Sequence, residues 1–455
     1  MSRMRFSQIA WATTMGWAMQ AQGRRVFTML VLLGINTMNF YDRQVLGAVG
    51  EPVRKEWDLS DRQLSALTIA FILLYAAVGL PLGHWADVGR RRLILAVGVL
   101  LWSAMTALSG LAWDFASLFV LRLGVGVGEA SCAPAANSLL GDLFGPLQRG
   151  RAIAVFMLGL PLGLGLSYLV SGWIAHEVGW RAALFVAATP GLLLSVLAFC
   201  LPEPPRGAAE VHRSAGPSRG SAVRAVLRIP TMWWIILSGA LLNLSMYALG
   251  SFLTSLLMRY HGRNVAQANT IIGLVYGLGG GLGMLAGGWL CDRVVRRRVS
   301  GRLELATLAM VVGAPCLWLA VEQPRGAYLA FAAWLLPGCL CLYFYYAAVY
   351  ATIQDVVPPR RRGTAMAVYF FVFYLVAAAG LDAFGWLSDT LARRAAVRGA
   401  SATEARALGL HGAMYVIPVL TALLVPVLFA GSRTVRRDQQ RAQLEQAAAK
   451  VEPGA

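Results

Sequence analysis

The sequence predicts an all-α membrane protein of twelve transmembrane helices, arranged as two six-helix bundles related by a pseudo-twofold axis. Three observations carry that prediction. Hydrophobic side chains make up 58% of the 455 residues and charged ones only 14%, and the mean hydropathy of +0.60 lies far outside the range of soluble domains. The apolar residues are gathered into twelve runs near the roughly 20 residues that a helix needs to cross a bilayer. The two halves of the chain also repeat one another.

The runs fall at 26–50, 64–84, 93–112, 115–140, 151–174, 181–201, 231–257, 267–290, 303–320, 326–350, 363–387 and 411–430. The longest polar interruption, PEPPRGAAEVHRSAGPSRGSAVRAVLR from Pro202, is rich in Pro, Gly, Ser and Arg and separates six spans from six. The expected organisation is an N-terminal interfacial segment (1–25), a first bundle (26–201), a linker (202–230), a second bundle (231–431) and a polar tail (432–455). Residues 1–24 make a poor signal peptide because Thr and Gln interrupt their apolar stretch. The tail is expected to be helical and cytoplasmic.

A net charge of +18 raises the question of nucleic acid, but in such a chain arginines first set topology. With both termini in the cytoplasm, inner segments hold 27 of the 40 Lys and Arg, outer loops 11, and two lie inside spans. The expectation is a multi-pass protein of a bacterial inner membrane with both termini cytoplasmic. Its basic segments then meet anionic lipid headgroups rather than nucleic acid. The weak point is the loop between spans 11 and 12, where Arg393, Arg394, Arg398 and Arg406 place positive charge outside. The six cysteines show no metal-ligand spacing and read as small hydrophobes. All five histidines lie at span ends or in loops, which disfavours an intramembrane enzyme. No metal or cofactor is expected, and a monomer is.

Self-comparison is the sharpest signal. GHWADVGRRR from Gly83 is echoed by GWLCDRVVRRR from Gly288, which puts Asp87 and Asp292 205 residues apart. DLFGPLQRGRAIAVF from Asp142 is echoed by DVVPPRRRGTAMAVY from Asp355 at an offset of 213. A glycine at 83 allows close helix approach, an aspartate at a helix end suits a neighbouring helix N-terminus, and the arginines anchor in cytosol and headgroups. Six plus six spans with parallel repeats, and a span 2–3 loop reading Gly83 to Arg92, resemble the major facilitator superfamily. That resemblance implies that Asp87 latches the cytoplasmic side against the start of span 11 near Gly363. By the repeat, Asp292 does so near Gly150, with Gly288, Arg91 and Asp142 as further members of the latch.

Inside the spans, away from their ends, stand Asp42 and Arg43 (span 1), Arg122 and Glu129 (span 4) and Asp382 (span 11). Each costs about 2.5 to 3.5 kcal/mol at a helix centre unless it faces water or a partner. At about 1.5 Å per residue, Asp42 and Arg122 lie about 12 and 10 Å from the outer ends of their spans, matched in depth for pairing. Glu129 lies two turns below Arg122, a separate station. In LRLGVGVGEA, the glycines 124, 126 and 128 sit in mid-span, so they are not a phosphate loop. Gly124 and Gly128, four apart, offer a small-residue contact, and Gly126 loosens the helix or leaves room in the cavity.

In the major facilitator fold, spans 1, 4, 7 and 10 line the cavity. The resemblance therefore implies an ionic wall opposite one of Asn243, Tyr247, Tyr343 and Tyr346. Asp42-Arg43-Gln44, together with Arg122 and Gly126-x-Gly128-Glu129-Ala130, resembles the Spinster-like transporters. Several of these move lysophospholipids or sphingolipid derivatives, with proton coupling proposed. The resemblance implies proton coupling at Glu129 and Asp42, and substrate binding at Arg43, Arg122, Asn243, Tyr247, Tyr343 and Tyr346. The expected partners are protons, membrane lipids and an amphiphilic or anionic small molecule. A symporter of a small organic anion, an aromatic or sugar acid, is the alternative. Asp382 stands where relatives usually carry glycine or proline, and is expected to cap a local helix break or to serve as a further protonation site.

Overall fold

The computed structural model describes residues 2–144, 146–205, 219–358 and 361–451, and among these the side chains of 2–21, 80, 83, 84, 86–88, 146, 147, 149–151, 219–222 and 446–451 lie outside the description. Helices make up the spans, with no strand among the described residues. Span 1 is part of a single helix, Ser2–Trp57. Span 2 is Asp61–Val88, span 3 Arg91–Ser109, span 6 Trp180–Phe199, span 7 Pro230–Arg259, span 9 Gly301–Val321, span 10 Tyr328–Val356 and span 11 Arg362–Val397. A short helix, Arg219–Leu227, precedes span 7.

The remaining spans are broken, and proline explains three of the breaks. Span 4 is Phe115–Glu129 followed by Cys132–Leu143; Pro134 has no N–H for the Ala130 carbonyl, and the ladder opens just after Glu129. Pro161 does the same between Pro146–Met157 and Gly159–Glu177 in span 5, and Pro418 between Ala402–Met414 and Val416–Val451 in span 12. The last helix runs on through the tail without a stop at 431. Span 8 is Val265–Leu274, a π turn at Val275–Gly280, and Gly281–Val295, the turn falling in a glycine-rich stretch.

Among the described residues, eleven segments are long and apolar enough to cross a membrane. Span 1 is the twelfth crossing helix, and Asn36, Asn39, Asp42 and Arg43 hold its hydropathy down. The halves meet along spans 2 and 11, 5 and 8, and 1 and 7. Gly47 of span 1 lies hard against the Gly250 carbonyl of span 7, which also accepts the Tyr168 hydroxyl at 2.7 Å. The glycine string packs span 4 on two neighbours. A β-carbon on Gly128 would stand 2.6 Å from the Trp102 nitrogen, and one on Gly124 would stand 2.7 Å from Met105 Sδ, both on span 3. Gly126 faces neither cavity nor slack helix as expected: a β-carbon there would meet the Phe71 carbonyl of span 2 at 2.7 Å.

One end of the molecule, here the linker face, carries the described ends of the linker, 202–205 and 219–230, and the tail as far as 451, and the other, the far face, carries the 57–61 and 259–265 turns. On the far face, helix starts are fixed by capping boxes: Ser60 with Gln63, Asp114 with Ser117, and Asn264 with Gln267. Buried His261 sits in the 259–265 turn, its ring 5.0 Å from that of Phe331 and its Nδ1 without a described partner. Burial, with His411 and Arg263 nearby, pushes its pKa from 6.5 down to about 4. The unfolded chain therefore takes up a proton near pH 6.5 that the folded chain refuses until about 4. Its contribution is complete above 6.5 and is lost as pH falls through that window, at most about 3 kcal/mol. The thermal midpoint of the purified protein is expected to drop between pH 6.5 and 4, and His261→Gln to flatten that drop; parallel curves would count against it.

Candidate functional site

The site grows from span 1. Helical rotation of about 100° per residue sends the adjacent Asp42 and Arg43 to different sides. Arg43 crosses to span 4, where its Nε donates to Glu129 Oε2 at 3.0 Å. Asn39, one turn earlier, donates to the same oxygen at 3.2 Å. Arg43 Nη1 reaches the Tyr374 hydroxyl of span 11 at 3.4 Å, and its guanidinium lies over the Tyr75 ring of span 2 at 4.4 Å. Glu129 is fully buried and Arg43 nearly so, so the pair exchanges much of its hydration for mutual attraction, hydrogen bonds and aromatic faces. Glu129 Oε1 has no described partner.

Depth matching misjudged the partners. Asp42 and Arg122 do not form the expected ion pair. Arg122 Nη2 meets only the Asp42 backbone carbonyl, at 3.4 Å, and both Asp42 carboxylate oxygens lack a hydrogen-bond partner among the described residues. Both side chains are buried. Depth fixes height in the membrane but not rotation about the helix axis, and the phase favours Arg43.

The opposite wall is aromatic. Tyr343 is buried against Tyr346, with ring centroids 6.0 Å apart, and Tyr276. Tyr346 continues to Tyr350 at 5.7 Å, and Tyr350 to Phe370 of span 11 at 5.9 Å. Phe370 lies 6.1 Å from Tyr374, which closes the column back on Arg43. Tyr247 neighbours Arg43, Tyr75, Tyr346 and Tyr374. Asn243 is committed to structure, its amide donating to the Phe373 carbonyl at 2.8 Å. Asn39, Tyr75 and Tyr374 were missed in the sequence; Asn39 belongs to the motif NFYDRQ, while the two tyrosines carry no local signal.

The far face is joined across the halves. Arg259 of span 7 donates to Asp61 of span 2 at 2.8 and 3.0 Å and to Glu51 of span 1 at 2.8 Å, and all three are buried. Arg54 also grips Glu51, at 2.8 Å. Ser388 of span 11 donates to Asp61 at 2.6 Å. Asp389 accepts the backbone N–H groups of Asp61 and Arg62 at 3.0 and 3.1 Å, at the positive start of span 2. Asp382 neither caps a helix break nor faces the cavity: it is exposed and holds Arg62 at 2.9 Å. Gly385 makes this approach possible, since a β-carbon there would stand 2.5 Å from Ser65 Oγ.

On the linker face, the described ion pairs stay within each half. Buried Arg91 meets Asp142 and Glu203, and Arg302 meets Asp355 and, at 3.7 Å, Asp292. The two sets occupy equivalent places in the repeats. Gly288 faces open space rather than a neighbouring helix, and Asp292 is largely exposed. The side chain of Asp87, and the surroundings of Gly83 and Gly150, lie outside the described residues.

Twelve crossing helices in two repeated bundles, with an ion pair buried where the bundles meet, define a membrane transport protein. Residues 32–381 match the Major Facilitator Superfamily. An MFS-type efflux pump of Mycolicibacterium smegmatis (strain ATCC 700084 / mc(2)155) is 29% identical over 368 residues, 79% of this chain and 84% of its own. Spinster homolog 3 of Mus musculus is 30% identical over 391 residues, 81% and 76% of the two chains. The crystal structure of a bacterial homolog to the human lysosomal transporter Spinster, inward-facing and unoccupied, aligns with a TM-score of 0.79 at 27% identity. It covers 91% of this chain and 98% of that one. The chain belongs to the major facilitator superfamily, in its Spinster-like branch, whose members are transporters and not enzymes.

Proposed function

We propose that this transporter works by alternating access, coupled to protons through Glu129 and Asp42, and carries an amphiphilic lipid such as a lysophospholipid or a sphingolipid derivative. The observation that carries this reading is the buried Arg43–Glu129 pair, which Arg43 ties to Tyr374 of the other half. Protonation of Glu129 frees Arg43 for an anionic headgroup, and movement of Arg43 alters the contact between halves, so proton, cargo and conformation are linked. The headgroup meets Arg43 and Arg122. The apolar body lies along Tyr247, Tyr343 and Tyr346, with the Asn243 carbonyl oxygen as a polar contact. The bundles 26–201 and 231–431 rock as units, with the linker face cytoplasmic and the protein a monomer in the bacterial inner membrane. The structure is then the state closed to the outside. The lipid class rests on the likeness of Asp42-Arg43-Gln44 and Gly126-x-Gly128-Glu129-Ala130 to the Spinster-like motifs.

The test is uptake into proteoliposomes. An inward-directed or outward-directed pH gradient is expected to drive lysophospholipid or sphingoid phosphate across the membrane, with a protonophore abolishing the drive. Equal flux with and without the gradient would remove proton coupling. Competition by aromatic or sugar acids, but not by lysolipids, would move the cargo to the small organic anions.

A further inference from the structure

Five polar side chains inside the first half have unused hydrogen-bonding atoms. They are Asp42 (both oxygens), Trp102 (Nε1), Ser103 (Oγ), Thr106 (Oγ1) and Arg122 (Nε and Nη1), all without a partner among the described residues. Each is at most 1% exposed. Native proteins rarely leave such atoms unmatched, and several within one region call for a polar guest. Spans 1, 3 and 4 supply them, and they are not the partners of the Arg43–Glu129 pair.

Two relations make this one place rather than scattered defects. The Trp102 indole N–H faces the Asp42 carboxylate without closing a hydrogen bond to it. On span 6, a methyl at Gly191 would stand 2.1 Å from Ser103 Oγ and 3.8 Å from Trp102 Nε1, so the bare backbone of Gly191 lets both groups pack against span 6. Thr106 lies four residues after Trp102, on the same side of span 3. The other charged or titratable groups near Asp42 are Arg122 and Glu129 from span 4 and Tyr41 from its own helix. Arg43, next in sequence, is occupied by Glu129.

We propose that Asp42, Trp102 and Ser103, packed at the bare backbone of Gly191, form a water-binding polar chamber inside the first bundle, and that Trp102 is the positioning residue for the Asp42 carboxyl. None of these three groups is a partner of the Arg43–Glu129 pair, so Asp42 exchanges its proton while that pair stays closed. Water bridges the Trp102 N–H, the Ser103 hydroxyl and the carboxyl, satisfying donors and acceptors that protein groups leave open. This rests on the reading of Asp42 as a proton carrier, and extends it to spans 3 and 6.

Infrared difference spectroscopy of the reconstituted protein during a pH titration reads the Asp42 carboxyl directly, since Asp42→Asn removes its C=O band. Trp102→Phe is expected to move that band to higher wavenumber, because the carbonyl loses its donor network. A second variant, Ser103→Ala with Gly191→Ala, keeps the indole but replaces the hydroxyl by methyl groups, removing the 2.1 Å clash with Oγ and leaving the two β-carbons in tight contact at 3.1 Å. It is expected to shift the band the same way, and it preserves the test if Trp102→Phe does not fold. A band unmoved in the folded variants would overturn the chamber while leaving Asp42 as a proton carrier. A wild-type protein with no Asp42 band at any pH would overturn both the chamber and the part of Asp42 in coupling, with Glu129 still standing.

Discussion

Replacing Glu129 by glutamine is expected to abolish gradient-driven uptake while leaving cargo exchange without a gradient in place. Glutamine is nearly isosteric, and its carbonyl oxygen can still accept from Arg43 Nε and Asn39 Nδ2, the donors now at 3.0 and 3.2 Å, so the fold persists. What is lost is the negative charge opposite a nearly buried guanidinium. Removing one member of such a pair costs about 3 to 5 kcal/mol, which lowers the population of the Arg43-docked state by roughly two to four orders of magnitude. Glutamine also mimics the protonated acid permanently, so a pH gradient has nothing to act on at this position. The readout is paired: net uptake against a concentration gradient under an imposed pH difference, and equal-concentration exchange of labelled cargo at uniform pH. Undiminished uphill uptake would remove Glu129 as the coupling group, and loss of both activities would mark it as a binding group instead.

Replacing Arg259 by alanine is expected to open the far face. Arg259 is the sole bridge described from span 7 to both Glu51 and Asp61, and its removal leaves two buried carboxylates without their shared cation. The closed far face then loses about 3 to 5 kcal/mol, comparable with the 5.5 kcal/mol that takes a two-state population from 1:99 to 99:1. Spin labels on the 57–61 and 259–265 turns are expected to report a longer distance in the variant. Arg259→Lys, which keeps the charge but not the two-sided geometry, is expected to fall between. An unchanged distance distribution in Arg259→Ala would show that Asp389, Ser388 and the Arg62–Asp382 pair hold this face without it.

Most of the fold was readable because a membrane demands long apolar runs, and the chain can hide neither their number nor the repeat between halves. Helix breaks were less readable: Pro134 lies in the quoted motif, yet where span 4 opens depends on which carbonyl loses its donor. At the site, the sequence picks out Arg43 and Glu129 as residues out of place in a bilayer, but it does not say that they meet. Asp42 and Arg43 have nearly the same depth, and only packing decides which of them turns to span 4. Glu51, Asp61 and Arg259 were passed over because charges at span ends ordinarily serve topology. Only the joining of distant spans reveals them as one buried cluster. Asp382 stood out for its residue type, and its partner Arg62 lies 320 positions away.

The polarity of span 1 bears on how the chain is made. This helix is made before the spans it pairs with and is, among the described crossing helices, the least suited to lie alone in lipid. Its Asn39 and Arg43 await Glu129 on span 4, and Arg43 then awaits Tyr374, 331 residues later. Until those spans are synthesised, the polar groups of span 1 have only the insertion machinery, the membrane surface or one another for company. The polar groups buried along this helix therefore make its early life dependent on sheltered assembly, and a fault in biogenesis would appear at span 1 before the other described crossings.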